Sequence, residues 1–173
     1  LISSIFVPNF FQFQNMLNLV TNNWAVISLG IGVTFLLISG NFDLSVGGVV
    51  ALSGVLSVWF AQATGGMNPL STGLGFPYPL AIAGALAGAM AIGALNALFV
   101  VRLKVPSIIV TLGTMMLARG LAQVITHGSQ RNTNLPPEFG FIGNLTMFGT
   151  NIKLPVVLMV VLLAIATFIE RKT

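Results

Sequence analysis

The chain has 173 residues, 55% of them hydrophobic and only 6% charged, where a soluble domain carries roughly 25% charged residues. Seven Lys and Arg against three Asp and Glu give a net charge of +4, and the mean hydropathy is +0.98. So few charged side chains cannot cover a soluble surface, and the basic residues form no cluster able to follow a phosphate backbone. A soluble globular domain, a disordered tail and a nucleic-acid module are therefore excluded, which leaves an integral membrane protein or a piece of one. With no cysteine and a single His, disulfides, thiolate chemistry and a metal cluster lack their ligands, so no metal site is expected.

Residues 1–7 read as the tail of an apolar segment and Glu170–Thr173 as the start of a loop. We expect a fragment, residues 1–173 forming part of one transmembrane domain, with no signal peptide. The stretch Pro8–Asn23 mixes Phe10, Phe11 and Phe13 with Gln12, Gln14, Asn15 and Asn18. That composition suits an interfacial segment better than a span. Five apolar runs follow, at about 24–39, 44–63, 79–101, 106–126 and 154–169, near the ~20 residues a spanning helix needs. None shows the ~10-residue alternation of a barrel strand, so the expected architecture is an all-α polytopic transmembrane helix bundle. Pro79, Pro106 and Pro155 stand at helix starts, where a missing N–H is tolerated.

Arg102 and Lys104 lie between the third and fourth runs, and Arg171 and Lys172 follow the fifth. Counting crossings places both pairs on one side, assigned to the cytoplasm. The turn Gly40–Asp43 falls on that side too. The loops Gln62–Tyr78 and His127–Lys153 fall outside, with Arg131 and Lys153 against the bias. Thr64–Pro69 and Asn134–Pro137 are turn-forming sequences.

Asn41-Phe42-Asp43-Leu44-Ser45-Val46-Gly47-Gly48 is the most informative stretch. Asp43 is the only acid before Glu138. An ionised Asp at the bilayer centre costs ~2.5–3.5 kcal/mol on insertion scales, so it needs water or a partner. Asp43 or Ser45 could N-cap the following helix, or line a polar pathway, as discontinuous helix starts do. On the third run Gly84 and Gly88 form a small-xxx-small face, read either as a dimerisation or gating seam or as packing within one bundle. Asn96 either ties two helices or contacts a solute. On the fourth run Ser107, Thr111 and Thr114 make one polar stripe, and Arg119, Gln123 and Thr126 a second, rotated by roughly 120°. Either the helix faces a watery passage, or the hydroxyls bond back to the i−4 carbonyls while Arg119 snorkels outward. His127 has no partners for a metal or relay role, and Asn144-Leu145-Thr146 is a short glycosylation pattern. There is no nucleotide-binding loop and no hydrolase motif.

Ile38–Gly47 resembles the G-x-D-L-S-V-G signature of ribose-type permease subunits of bacterial ABC importers. So do Val105–Met115 with Ala118-Arg119-Gly120, Pro8–Phe11 with Asn15–Asn18, and Gly93-Ala94-Leu95-Asn96. Asn41-Phe42 stands where that family more usually has Gly-Ile. The resemblance implies a longer chain with about twice the helices and a second permease copy or homologue. It also implies cytoplasmic ATPase subunits that bind ATP, a periplasmic sugar-binding protein, and residence in the bacterial inner membrane. The ATPase-docking loop is then expected just past Thr173. The chain itself would be no enzyme and carry no cofactor. It would move a monosaccharide or related solute by alternating access, with Asp43, Ser45, Asn96, Ser107, Thr111, Thr114 and Arg119 as candidate pathway residues. The alternatives are an ATP-independent channel or facilitator, and a structural membrane subunit.

Overall fold

The computed structural model describes residues 10–66, 72–129, 135–147 and 152–170. Leu1–Asn9, Met67–Ser71, Arg131, Asn134 and Arg171–Thr173 lie outside the described residues, and with them the expectations placed there. The described residues form helices α1 (Phe13–Ile38), α2 (Val46–Ala61), α3 (Tyr78–Ala97), α4 (Ser107–Thr126), a short α5 (Phe141–Asn144) and α6 (Leu154–Glu170). A π-helical turn, Leu98–Arg102, continues α3, and a single antiparallel pair, β1 (Thr146–Met147) with β2 (Ile152–Lys153), precedes α6. α1, α3 with its π turn, and α4 are each long and apolar enough to cross a membrane, and α2 and α6 are shorter apolar helices. The all-α membrane architecture read from the apolar runs is what the described residues form, apart from that one short strand pair.

The chain divides into two compact units, residues 1–35 with 140–173, and residues 36–139. In the first unit, the polar stretch expected as a separate interfacial segment instead runs unbroken into the first apolar run, giving one helix of 26 residues. No Pro or Gly interrupts it before Gly30, and its polar side chains are satisfied locally. Gln14 Nε2 donates to Asn18 Oδ1, Asn23 Nδ2 to the Leu19 carbonyl and Asn15 Nδ2 to the Phe10 carbonyl. At 1.5 Å per residue α1 is about 39 Å long, more than the ~30 Å hydrocarbon core, so its polar first turns need not enter it. None of its described residues is buried.

The second unit is built around α2, which packs along both α3 and α4. Its core is Leu52 against Ala118 and Ala122, flanked by Val55, Leu56, Ile92 and Ile125. The α2–α3 contact is antiparallel and close because α3 is small where they meet. A Cβ on Gly84 would stand 2.8 Å from Phe60 Cε2, one on Gly88 3.1 Å from Leu56 Cδ1, and Ala81 and Ala85 are buried. Phe60 and Leu56 thus meet the Gly84–Gly88 face from within the unit.

Candidate functional site

Residues 41–45 form no helix. They pass beside the start of α4, with the Phe42 N–H donating to Ser107 Oγ at 3.3 Å. α2 then begins level with Met115: a Cβ on Gly48 would stand 2.7 Å from the Met115 carbonyl oxygen and 3.1 Å from its Cα. Met115 lies about 12 Å along α4 from Ser107. α2 and α4 therefore run parallel, and α2 starts near the middle of its neighbour. Gly48 is what lets the backbones approach there; no other residue type fits against a main-chain atom at that distance.

The entry to α2 is held by three side chains. Asp43 Oδ1 accepts the Ser45 N–H at 2.7 Å and the Ser45 hydroxyl at 2.6 Å, an Asx turn that fixes the chain two residues on. Ser45 Oγ accepts Asn96 Nδ2 from α3 at 3.0 Å. Ser45 and Asn96 are buried and Asp43 half-buried. Of the two residues expected to cap α2, Ser45 stands at the N-cap but has helical backbone (φ −74°, ψ −18°) and makes no side-chain cap bond, while Asp43 meets the Ser45 N–H just ahead of the helix. A capping serine needs extended backbone to aim its oxygen at the first-turn N–H groups. Asn96 ties α2 to α3, and its Oδ1 is sealed from solvent with no hydrogen-bond partner.

On α4 the inner hydroxyls bond back to their own helix. Thr111 Oγ1 donates to the Ser107 carbonyl at 2.8 Å, and Thr114 Oγ1 to Val110 at 3.1 Å. Thr111 is buried and Thr114 half-buried. In the second stripe Thr126 also bonds back, to Ala122, while Arg119 and Gln123 are exposed. Arg119 does not snorkel outward. Its Nη2 lies 3.8 Å from the Cβ position of Gly47, level with the start of α2. That direction follows from the tilt of helical side chains toward their own N-terminus. No ion pair to Arg119 forms among the described residues. The sequence-predicted residues thus separate into a knot of Asp43, Ser45 and Asn96, a back-bonded Thr111 and Thr114, and an open Arg119; Ser107 pins Phe42. His127 ends α4 in a left-handed turn (φ 49°). Asn144 donates to the Gly140 carbonyl at 3.1 Å.

Three features escaped the sequence. Gln62 is fully buried at the far end of α2, in a stretch expected to be an outer surface loop. There residues 73–76 fold back, the N–H groups of Leu74, Gly75 and Phe76 donating to the carbonyls of Trp59, Gln62 and Phe60. The two glycines in Gly73-Leu74-Gly75 were the available signal, since a Cβ on Gly73 would strike the Trp59 carbonyl. The third is the π turn Leu98–Arg102, where the Leu103 N–H reaches the Leu98 carbonyl; nothing in residues 98–102 announces it.

These elements define a multi-pass α-helical membrane protein with a helix that starts in mid-bundle. Residues 15–173 match the family described as the branched-chain amino acid transport system / permease component, and the chain belongs to it. It is 33% identical to the ribose import permease protein RbsC of Escherichia coli (strain K12) over 86% of this chain and 41% of that protein. It is 30% identical to the galactofuranose transporter permease protein YtfT of the same organism, over 100% of this chain and 49% of that protein. It is 32% identical to the L-arabinose ABC transporter permease protein AraH of Azospirillum brasilense, over 72% and 34%. The chain thus spans about half the length, or less, of these curated relatives. No solved structure matches it.

Proposed function

We propose that this chain is a membrane-spanning part of the permease of an ATP-driven importer in the bacterial inner membrane. It would move a monosaccharide or a related hydroxyl-rich solute by alternating access. The observation that carries this reading is the family match over residues 15–173, combined with relatives that are ribose, galactofuranose and arabinose permeases. Those names favour a sugar over the branched-chain amino acid in the family's description. ATP is bound and hydrolysed by partner subunits, a periplasmic binding protein delivers the solute, and a second permease completes the passage.

The geometry supports a division of labour among the candidate residues. Asp43, Ser45, Asn96 and Thr111 are buried or bonded internally and hold the backbone around the start of α2. Arg119, Thr114 and Ser107 retain exposed or half-buried polar atoms and face the solute. Such contacts are weak, as a passage requires, since a tight site would not release its cargo.

The test is to purify the tagged full-length protein from its native membrane and identify what accompanies it. Co-purified ATPase subunits, with hydrolysis stimulated by a sugar-loaded binding protein, are expected. A protein that arrives alone and conducts solute without ATP would establish the channel instead. Stimulation by a binding protein loaded with a branched-chain amino acid, but not with a sugar, would overturn the substrate class.

A further inference from the structure

The Asp43–Ser45–Asn96 knot cannot be fully satisfied in the conformation described. Ser45 has one hydroxyl hydrogen, and Asp43 Oδ1 takes it at 2.6 Å. Ser45 Oγ can therefore only accept from Asn96, and Asn96 must present its NH2 group to it, at 3.0 Å. The other end of the amide, Oδ1, is left without a donor in a place water does not reach. Turning the amide over gives no relief, because an amide oxygen would then face a serine oxygen with no hydrogen to share. A buried acceptor left unpaired is destabilising, and native folds keep few of them.

A second, independent feature lies directly beyond Asn96 on the same helix. α3 ends at Ala97, and the next turn is π-helical, Leu98–Arg102, closed by the Leu103 N–H on the Leu98 carbonyl. It is followed by Lys104 in the left-handed region, φ 57°. A π turn holds one residue more than the α turn it replaces, is rare, and occurs as an insertion inside α-helices. Returning it to α geometry at one place and opening it at another rotates the intervening residues by about one residue's worth, ~100°. Asn96 is two positions before the turn, so a migration of the turn toward the N-terminus past it turns it away from Ser45.

We propose that Asn96 is a partner-exchanging positioning residue. In the described state its NH2 holds Ser45 and the start of α2. In a second state, reached as the π turn migrates, its Oδ1 gains the donor it lacks here, from water or a solute hydroxyl admitted by the opening. The orphaned oxygen keeps the described state from being too stable to leave. This rests on the alternating-access reading above, and it adds the element that alternates. An exchange of this kind requires two discrete arrangements of one packed element, and the α3 terminus has the means for both.

The experiment uses the full-length permease in its complete assembly, in proteoliposomes, with Asn96→Leu and Asn96→Ser. Leu keeps the branching and the number of heavy atoms and removes both donor and acceptor; Ser keeps a hydroxyl able to play either part. Uptake is measured per correctly folded molecule, beside thermal stability of the resting state. For Asn96→Leu the maximal rate is expected to fall about ten-fold, the order set by one buried hydrogen bond. The solute concentration for half-maximal uptake should stay unchanged and the resting-state stability should equal or exceed wild type. Asn96→Ser is expected to recover much of the rate. A wild-type rate per folded molecule in Asn96→Leu would overturn the proposal. So would a rate loss that tracks lost stability, since Asn96 would then be a tie between helices and nothing more. Should the wild type move solute without ATP, the importer reading falls, while the same comparison of rates and stabilities still decides the role of Asn96.

Discussion

Gly48→Ala tests the mid-bundle start of α2 directly. The added methyl would stand 2.7 Å from the Met115 carbonyl oxygen and 3.1 Å from its Cα, whereas comfortable carbon contacts lie at about 3.5–4.0 Å. Both obstacles are main chain, so no rotamer change makes room, and α2 must move off α4 by roughly 0.8 Å. That separation loosens Leu52 on Ala118 and Ala122, the packed centre of the unit. Overpacking of this kind costs ~1–3 kcal/mol, offset by up to ~1 kcal/mol of helix propensity gained on replacing glycine. The expected net loss is about 1–2 kcal/mol. Gly54→Ala, on the same helix with nothing within 4 Å of its Cβ position, is the matched control and should be neutral or slightly stabilising. Both variants of the full-length protein are unfolded by titrating denaturing detergent into one mild detergent, with helicity as the readout. Equal midpoints for the two variants would refute the close approach at Met115, and with it the placement of the α2 start.

Gly84→Ala meets only the far end of the Phe60 ring, which can turn aside. It should cost under ~1 kcal/mol and leave the oligomeric state unchanged in cross-linking; loss of a dimer would favour the seam. Ser45→Ala removes a hydrogen bond from Asp43 and strands the Asn96 amide nitrogen, so it should destabilise by ~1–3 kcal/mol in the same titration. Thr114→Val should lower solute uptake while Thr111→Val leaves it near wild type, because both hydroxyls bond back to their helix but Thr111 is sealed and Thr114 only half-buried. Equal effects in a transport assay would mean that the stripe is packing throughout.

The helices were legible because burial in lipid leaves a strong mark. The runs placed at 79–101, 106–126 and 154–169 correspond to helices beginning at Tyr78, Ser107 and Leu154, where a proline punctuates each start. The polar stretch before Trp24 misled, because Asn and Gln at a membrane surface are as compatible with the first turns of a long helix as with a separate one. At the site, the residue types around Asp43 marked the place correctly. Their roles depended on a partner, Asn96, that lies 51 positions away from Ser45 in sequence, and on the backbone angles of Ser45, neither of which periodicity carries. The direction of Arg119 was likewise decided by what stands next to it. An exposed α4 alone permits either direction; the gap left by Gly47 takes the guanidinium.

The start of α2 also has an electrical consequence. A helix terminus of this sense carries roughly half a positive charge, and here it lies at mid-depth along α4 with the Arg119 guanidinium beside it. The Asp43 carboxylate accepts the Ser45 N–H at the same terminus and sets a negative charge against both, so the break before α2 is a site of mixed charge rather than a positive barrier.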